Sequence, residues 1–192
     1  MPVLIAGLAL FLGVHSVHML APDWRAHMVA RIGLNAWKGL YSLASIAGFV
    51  LIVYGFGLAR HAPVLLYVPP VWARHLNSLF TLVAFVLIAA TYVPRNRLKA
   101  LLGHPMLAGA ALWAFGHLLA TGYLHDVVLF GAFLAWALAD FTFSRRRDLL
   151  AGTAVPAATA TGDALAVAAG LLAWGVFAFW LHGWLIGVKP MA

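Results

Sequence analysis

The sequence predicts an all-α fold, a polytopic transmembrane helix bundle of five core helices plus a C-terminal sixth. Three observations predict it. Hydrophobic residues fill 65% of the 192 positions and charged residues only 9%, against about a quarter charged in soluble domains. The mean hydropathy is +0.97. Apolar stretches without Asp, Lys or Arg run over 3–20, 39–58, 76–93, 105–124, 127–139 and 164–188. A hydrocarbon core about 30 Å thick requires roughly 20 helical residues, and most of these runs approach that length.

The first run, Val3 to Leu20, has no basic leader and no clean small-residue cleavage site, so it reads as a retained helix. The second, Gly39 to Leu58, closes on Gly55 and Gly57; Pro63, Pro69 and Pro70 then form an outer loop that holds Tyr67 and Trp72 at interface level. In the third, Leu76 to Val93, Asn77 and Ser78 lie one turn in, where they either hydrogen-bond across helices or sit in the interface. The fourth, Pro105 to Leu124, follows His104, whose position before proline is biased away from helix and marks where the chain enters the membrane. The fifth is short and is extended from Asp126 to Phe143, with Asp140 facing the bundle or snorkelling. The small-residue stretch Ala151 to Gly162 reads as a flexible linker before the last helix. The expected organisation is a transmembrane domain over 1–148, a linker over 149–163 and a C-terminal transmembrane helix over 164–192. There is no internal repeat, Gly-rich phosphate loop or Ser-His-Asp pattern.

Positive charge sorts by loop. Arg25, Arg31 and Lys38 follow the first span, Arg95, Arg97 and Lys99 the third, and Arg145, Arg146 and Arg147 the fifth, while Arg60, Arg74 and Lys189 lie on the opposite side. The positive-inside rule therefore predicts a multi-pass protein of the cell inner membrane with both termini outside the cytoplasm. The net charge of +7 needs no nucleic acid, because basic residues beside spans meet anionic lipid head groups of the bilayer.

The chain has nine histidines, no glutamate and no cysteine. Ionisable side chains are costly in hydrocarbon, so His15 and His18 in the first run and His117 in the fourth are candidate functional residues. His15 and His18, three apart, share a helix face. Each histidine either donates a hydrogen bond to a neighbouring helix or ligates a metal. A histidine from each of two helices can hold haem edge-on, whereas structural zinc usually recruits four ligands, often thiolates. Without cysteine, any haem would be non-covalent, b-type. At 1.5 Å per residue His15 lies roughly 8 Å from the cytoplasmic end of its span and His117 roughly 14 to 18 Å from that end, a mismatch that tilt absorbs in part. His75, near the outer surface, is thus a rival partner for His117. His27 and His61 are expected in loops and His125 in an outer turn, all solvated, and His182 stands alone in the last span.

Five segments carry a family resemblance: GLALFLGVHSVHMLAPDWR at 7–25, NAWKGLYSLASIAGF at 35–49, PPVWARHL at 69–76, GHPMLAGAALWAFGHLLATG at 103–122 and LFGAFLAWALAD at 129–140. In this order, up to about Asp148, they resemble the NnrU protein family. The resemblance implies an association with nitrite and nitric oxide reduction (denitrification), in partnership with membrane reductases. The related zeta-carotene isomerases are membrane haem b enzymes acting on a polyene. Their axial ligands, in a His-Ser motif and a Trp-x-x-x-His-x-Leu motif, correspond here to His15 and His117. Two departures are visible. His18 stands where the family pattern has arginine, as a substitute cation, proton donor or alternative ligand, and the isomerases' further downstream histidine has no counterpart around Phe133 to Phe141.

The expected function is that of an NnrU-like membrane protein binding haem b through His15 and His117, with iron held by that pair and His18 beside the cofactor. Two alternatives stand beside it: a haem-dependent cis–trans isomerase of a carotenoid-like polyene reaching the site from lipid, and a cofactor-free structural or transport bundle.

Overall fold

The computed structural model describes residues 1–153 and 157–190. It is all-α. The helices are α1 (Pro2–Leu20), α2 (Pro22–Ile32), α3 (Leu34–Arg60), α4 (Val71–Tyr92), α5 (Arg97–Leu102), α6 (Pro105–Ala120), α7 (Leu124–Leu150), α8 (Ala160–Val176) and α9 (His182–Ile186), with a π-helical segment, Phe177–Leu181, joining the last two. Five helical stretches are long and apolar enough to cross a membrane: α1, α3, α4, α7 and the continuous run Ala160–Ile186. The shorter apolar helix α6 has 16 residues. The chain is thus a multi-pass membrane protein.

Several element bounds differ from the expectation. The loop expected after the first span contains α2, opened by Pro22 at its first position and closed by Gly33 at φ 85°. Helix α6 stops at Ala120 rather than Leu124, because Thr121 turns extended and its amide and hydroxyl both donate to the His117 carbonyl, at 2.9 and 2.8 Å. Helix α7 begins at Leu124 and runs seven residues past Phe143, to Leu150. Helix α8 begins at Ala160, inside the stretch expected as linker; positions 154–156 of that stretch lie outside the described residues.

The chain divides into two compact units: Met1–Tyr67 with Tyr123–Ala132, and Val68–Gly122 with Phe133–Ala192. In the first, α1 packs on α3. Their contact depends on small residues, as expected where lipid removes the hydrophobic drive and close backbone approach supplies the attraction. A Cβ at Gly55 would collide with the backbone of Val3 and Leu4, and one at Gly48 with that of Phe11; Leu4 is fully buried at this seam. Where α3 ends and α7 begins, the Leu124 amide donates to the Val64 carbonyl at 2.8 Å, and Leu65 pairs with Tyr123 in an isolated antiparallel bridge.

In the second unit α4 is central, with α6 and α8 packed on it. Ala84, Ala90, Ala114 and Ala166 are buried there, and Gly170 sits so close to Val86 that a Cβ would strike its backbone. The turn after α4 is held by Asn96, 1% exposed. Its Nδ2 donates to the Ala90 and Val93 carbonyls at 2.8 and 2.6 Å, and its Oδ1 caps α5 by accepting from the Lys99 amide at 2.7 Å. The start of α8 is tied to the same turn: the Thr159 amide donates to Arg95 O at 2.7 Å, and Asp163 pairs with Arg97 at 3.2 Å.

Asp140 faces inward on α7 at 3% exposure and accepts from the Ser144 hydroxyl at 3.0 Å. That choice follows from the cost of leaving a carboxyl in lipid.

Candidate functional site

In the first unit, Phe11 and His15 are four residues apart on α1, so their rings meet at 4.2 Å. The His15 Nδ1 lies 2.7 Å from the Phe11 carbonyl. A carbonyl only accepts, so Nδ1 carries the proton and the lone pair is left on Nε2. Tyr41 of α3 stands edge-on to the imidazole at 5.3 Å. Phe11, His15, Tyr41, Ser42, Ser45 and Phe49 line a cleft of about 350 Å³. Its walls are mostly apolar, with two serine hydroxyls, and the Ser45 hydroxyl donates to the Tyr41 carbonyl at 2.8 Å.

His18, one turn further on, repeats the arrangement: its Nδ1 is 2.9 Å from the His15 carbonyl. It opens on a second cleft of about 300 Å³, lined also by Arg25 from α2 and by Trp37, Lys38 and Tyr41 from α3. Ser16, between the two histidines, is turned away and buried, donating to Leu12 O at 2.7 Å.

His117 belongs to the second unit and sits half-buried in the last turn of α6. Trp113 precedes it by four, and the geometry matches that of His15: Nδ1 lies 2.8 Å from the Trp113 carbonyl and the rings are 5.2 Å apart. Trp113 in turn meets Phe133 edge-on at 5.7 Å. Helix α6 begins at Pro105, which puts His117 about 18 Å along its own axis, the upper end of the expected range.

The other histidines sort differently. His75 is exposed on α4 and has no side-chain partner among the described residues. His104 caps the start of α6 and pairs with Asp148 at 2.8 Å, so it marks the end of that helix. His27 lies exposed on α2 rather than in a loop. His125, expected in solvent, is 5% exposed. It stacks on Tyr123 at 5.6 Å, meets Phe56 edge-on at 5.1 Å and lies 3.7 Å from the Asp126 carboxylate. Its neighbours in sequence read as a turn, but the Tyr123–Leu65 bridge folds that turn inward. Burial, and then the Asp126 carboxylate, push the Tyr67 phenol above its ordinary pKa, so it stays neutral. His182 has Nδ1 2.6 Å from Val188 O.

Among the described residues no three His or Asp side chains converge on a metal-chelating cluster. The donor set that fits a cofactor is instead the imidazole with Nδ1 tied to its own helix, which holds ring orientation and tautomer as an axial haem ligand requires. His15, His18 and His117 all meet that condition. Sequence reasoning read Arg25 and Lys38 only as topology signals and passed over Tyr41; the signal for the latter was its place in the NAWKGLYSLASIAGF segment.

All-α, multi-pass, with half-buried histidines on apolar helices of both units, this is a polytopic helical membrane protein. The family model described as NnrU protein matches residues 3–190, nearly the whole chain and including its last helix. The chain belongs to the NnrU family. No curated protein and no solved structure matches it.

Proposed function

We propose that this member of the NnrU family binds haem b, which His15 and His117 would hold, and that it serves membrane nitrogen-oxide reduction. The observation that carries the reading is the shared hydrogen bond: in each histidine Nδ1–H donates to the carbonyl four residues earlier, at 2.7 Å from Phe11 O and 2.8 Å from Trp113 O. Each imidazole is thereby fixed before any ligand arrives, and hydrogen bonding at Nδ1 raises the basicity of Nε2. Haem, when bound, would supply one-electron chemistry. The residues of this chain supply orientation: Phe11 and Tyr41 hold the His15 ring between them, and Trp113 backs the His117 ring.

The test is the visible spectrum of purified protein expressed with ample haem. A low-spin bis-histidine spectrum is expected, with haem extractable by acidified solvent since no cysteine can tether it. His15→Ala or His117→Ala abolishes that spectrum, and His18→Ala or His104→Ala leaves its type intact. Colourless protein sinks the reading, and a His75→Ala variant that loses low-spin haem while His15→Ala keeps it overturns the ligand assignment. The link to nitrogen-oxide reduction rests on family membership, and assays of nitrite and nitric oxide reduction in membranes lacking the chain test it.

The apolar walls of the His15 cleft favour a second reading, a haem-dependent cis–trans isomerase of a carotenoid-like polyene. Chromatography of a central-cis polyene incubated with the reduced, haem-loaded protein separates the two.

A further inference from the structure

The cleft at His18 combines features that the haem reading does not use. Arg25, Lys38 and His18 line it together, and no Asp is among its lining residues. Arg25 is half-buried, and among the described residues neither Arg25 nor Lys38 has a side-chain hydrogen bond or ion pair. A guanidinium presents five donors in a fixed fork and has no acceptor of its own. Its fork is therefore met by water or by the oxygens of a ligand, and carboxylate or phosphate oxygens match it best.

The two basic groups come from different elements. Arg25 is on α2 and Lys38 is the fifth residue of α3, and the Gly33 turn, at φ 85°, brings these helices into succession. Trp37 and Tyr41, also four apart, give the cleft aromatic walls. Tyr41 also lines the apolar cleft of His15. The face shared by α1 and α3 therefore grades from Phe49, Ile46 and Phe11, past His15, to a cationic end at His18, Arg25 and Lys38.

We propose that the His18–Arg25–Lys38 cleft is an oxyanion seat, taking the carboxylate or phosphate of a membrane amphiphile whose apolar body lies along the cleft of His15. Two sources have that chemistry: the propionates of a haem, and the phosphate of an anionic phospholipid. The proposal stands whether or not iron is bound at His15.

Full-length wild type is compared with Arg25→Gln/Lys38→Gln and with Arg31→Gln, a basic residue of α2 outside the cleft; circular dichroism and gel filtration check that each is folded. In one arm the proteins are reconstituted with phosphatidylglycerol and phosphatidylcholine, and lipid retained on release is read by native mass spectrometry. In the other, ferric protoporphyrin is titrated against its dimethyl ester. Charge-assisted hydrogen bonds of this kind support at least about a tenfold preference for the anionic ligand. Wild type and Arg31→Gln keep that preference and the double variant loses it. Loss in the first arm assigns the seat to a phospholipid phosphate, and loss in the second to propionates. If wild type discriminates in neither arm, or the double variant discriminates as wild type does, the proposal is overturned. Failure of both porphyrins to bind, with phosphatidylglycerol retained, overturns the haem reading alone.

Discussion

Asn77 shows what a single buried polar atom costs. Its Oδ1 is buried on α4 with no hydrogen-bond partner among the described residues, and it occupies the space that a Cβ on Gly116 would need. Of the two placements the sequence allowed, neither is complete: the side chain is inside, beside α6, without a bond across to it. An unmet buried acceptor costs about 1–3 kcal/mol, more than the small volume lost on truncation costs here. Asn77→Ala is therefore expected to be neutral or to stabilise by about 1 kcal/mol in thermal unfolding in detergent. Loss of stability would mean that Oδ1 has a partner, such as a bound water.

Helix seams depend on which glycines face a neighbour. A Cβ at Gly55 meets the backbone of α1, whereas one at Gly57 meets nothing within 4 Å. Gly55→Leu must push α1 from α3 and is expected to cost about 1–3 kcal/mol or more, while Gly57→Leu leaves the melting temperature unchanged. Equal effects would remove the α1–α3 seam from the account. The sequence did not distinguish these two residues, since both read as the close of the second span. That the long elements are helices was legible because long apolar runs permit little else in lipid. The ends were not: α6 stops where Thr121 turns its hydroxyl back on His117 O, and α2 forms in a segment too polar to register as a span.

Across the whole molecule, charge placement predicts topology. Arg25 and Arg31 lie on α2, Lys38 near the start of α3, Arg97 and Lys99 on α5, and Arg145 to Arg147 on the last turns of α7. If α6 crosses with the five longer stretches, both termini are expected outside the cytoplasm. A fused alkaline phosphatase should be active after the C-terminus and silent in the α4–α5 turn; a C-terminal reporter active only in the cytoplasm would reverse that. The candidate site was legible in part. His15 and His117 stood out by type and placement, but their fixed tautomers depend on i−4 carbonyl geometry. Burial of His125 depends on the Leu65–Tyr123 bridge, a pairing between distant residues that no local pattern announces.

With 16 residues, α6 spans about 24 Å, some 6 Å less than a typical hydrocarbon core. If α6 crosses, lipid touching it must thin, or polar groups at His104 and Thr121 must be drawn below the head groups, at a cost of a fraction of a kcal/mol for each ångström. Acyl-chain length thereby becomes a variable of this protein's energetics. A thin bilayer accommodates the helix that carries His117, and a thick, ordered one opposes it. Hydrophobic mismatch at one short helix would thus bias which membrane, and which lipid neighbourhood within it, the protein occupies.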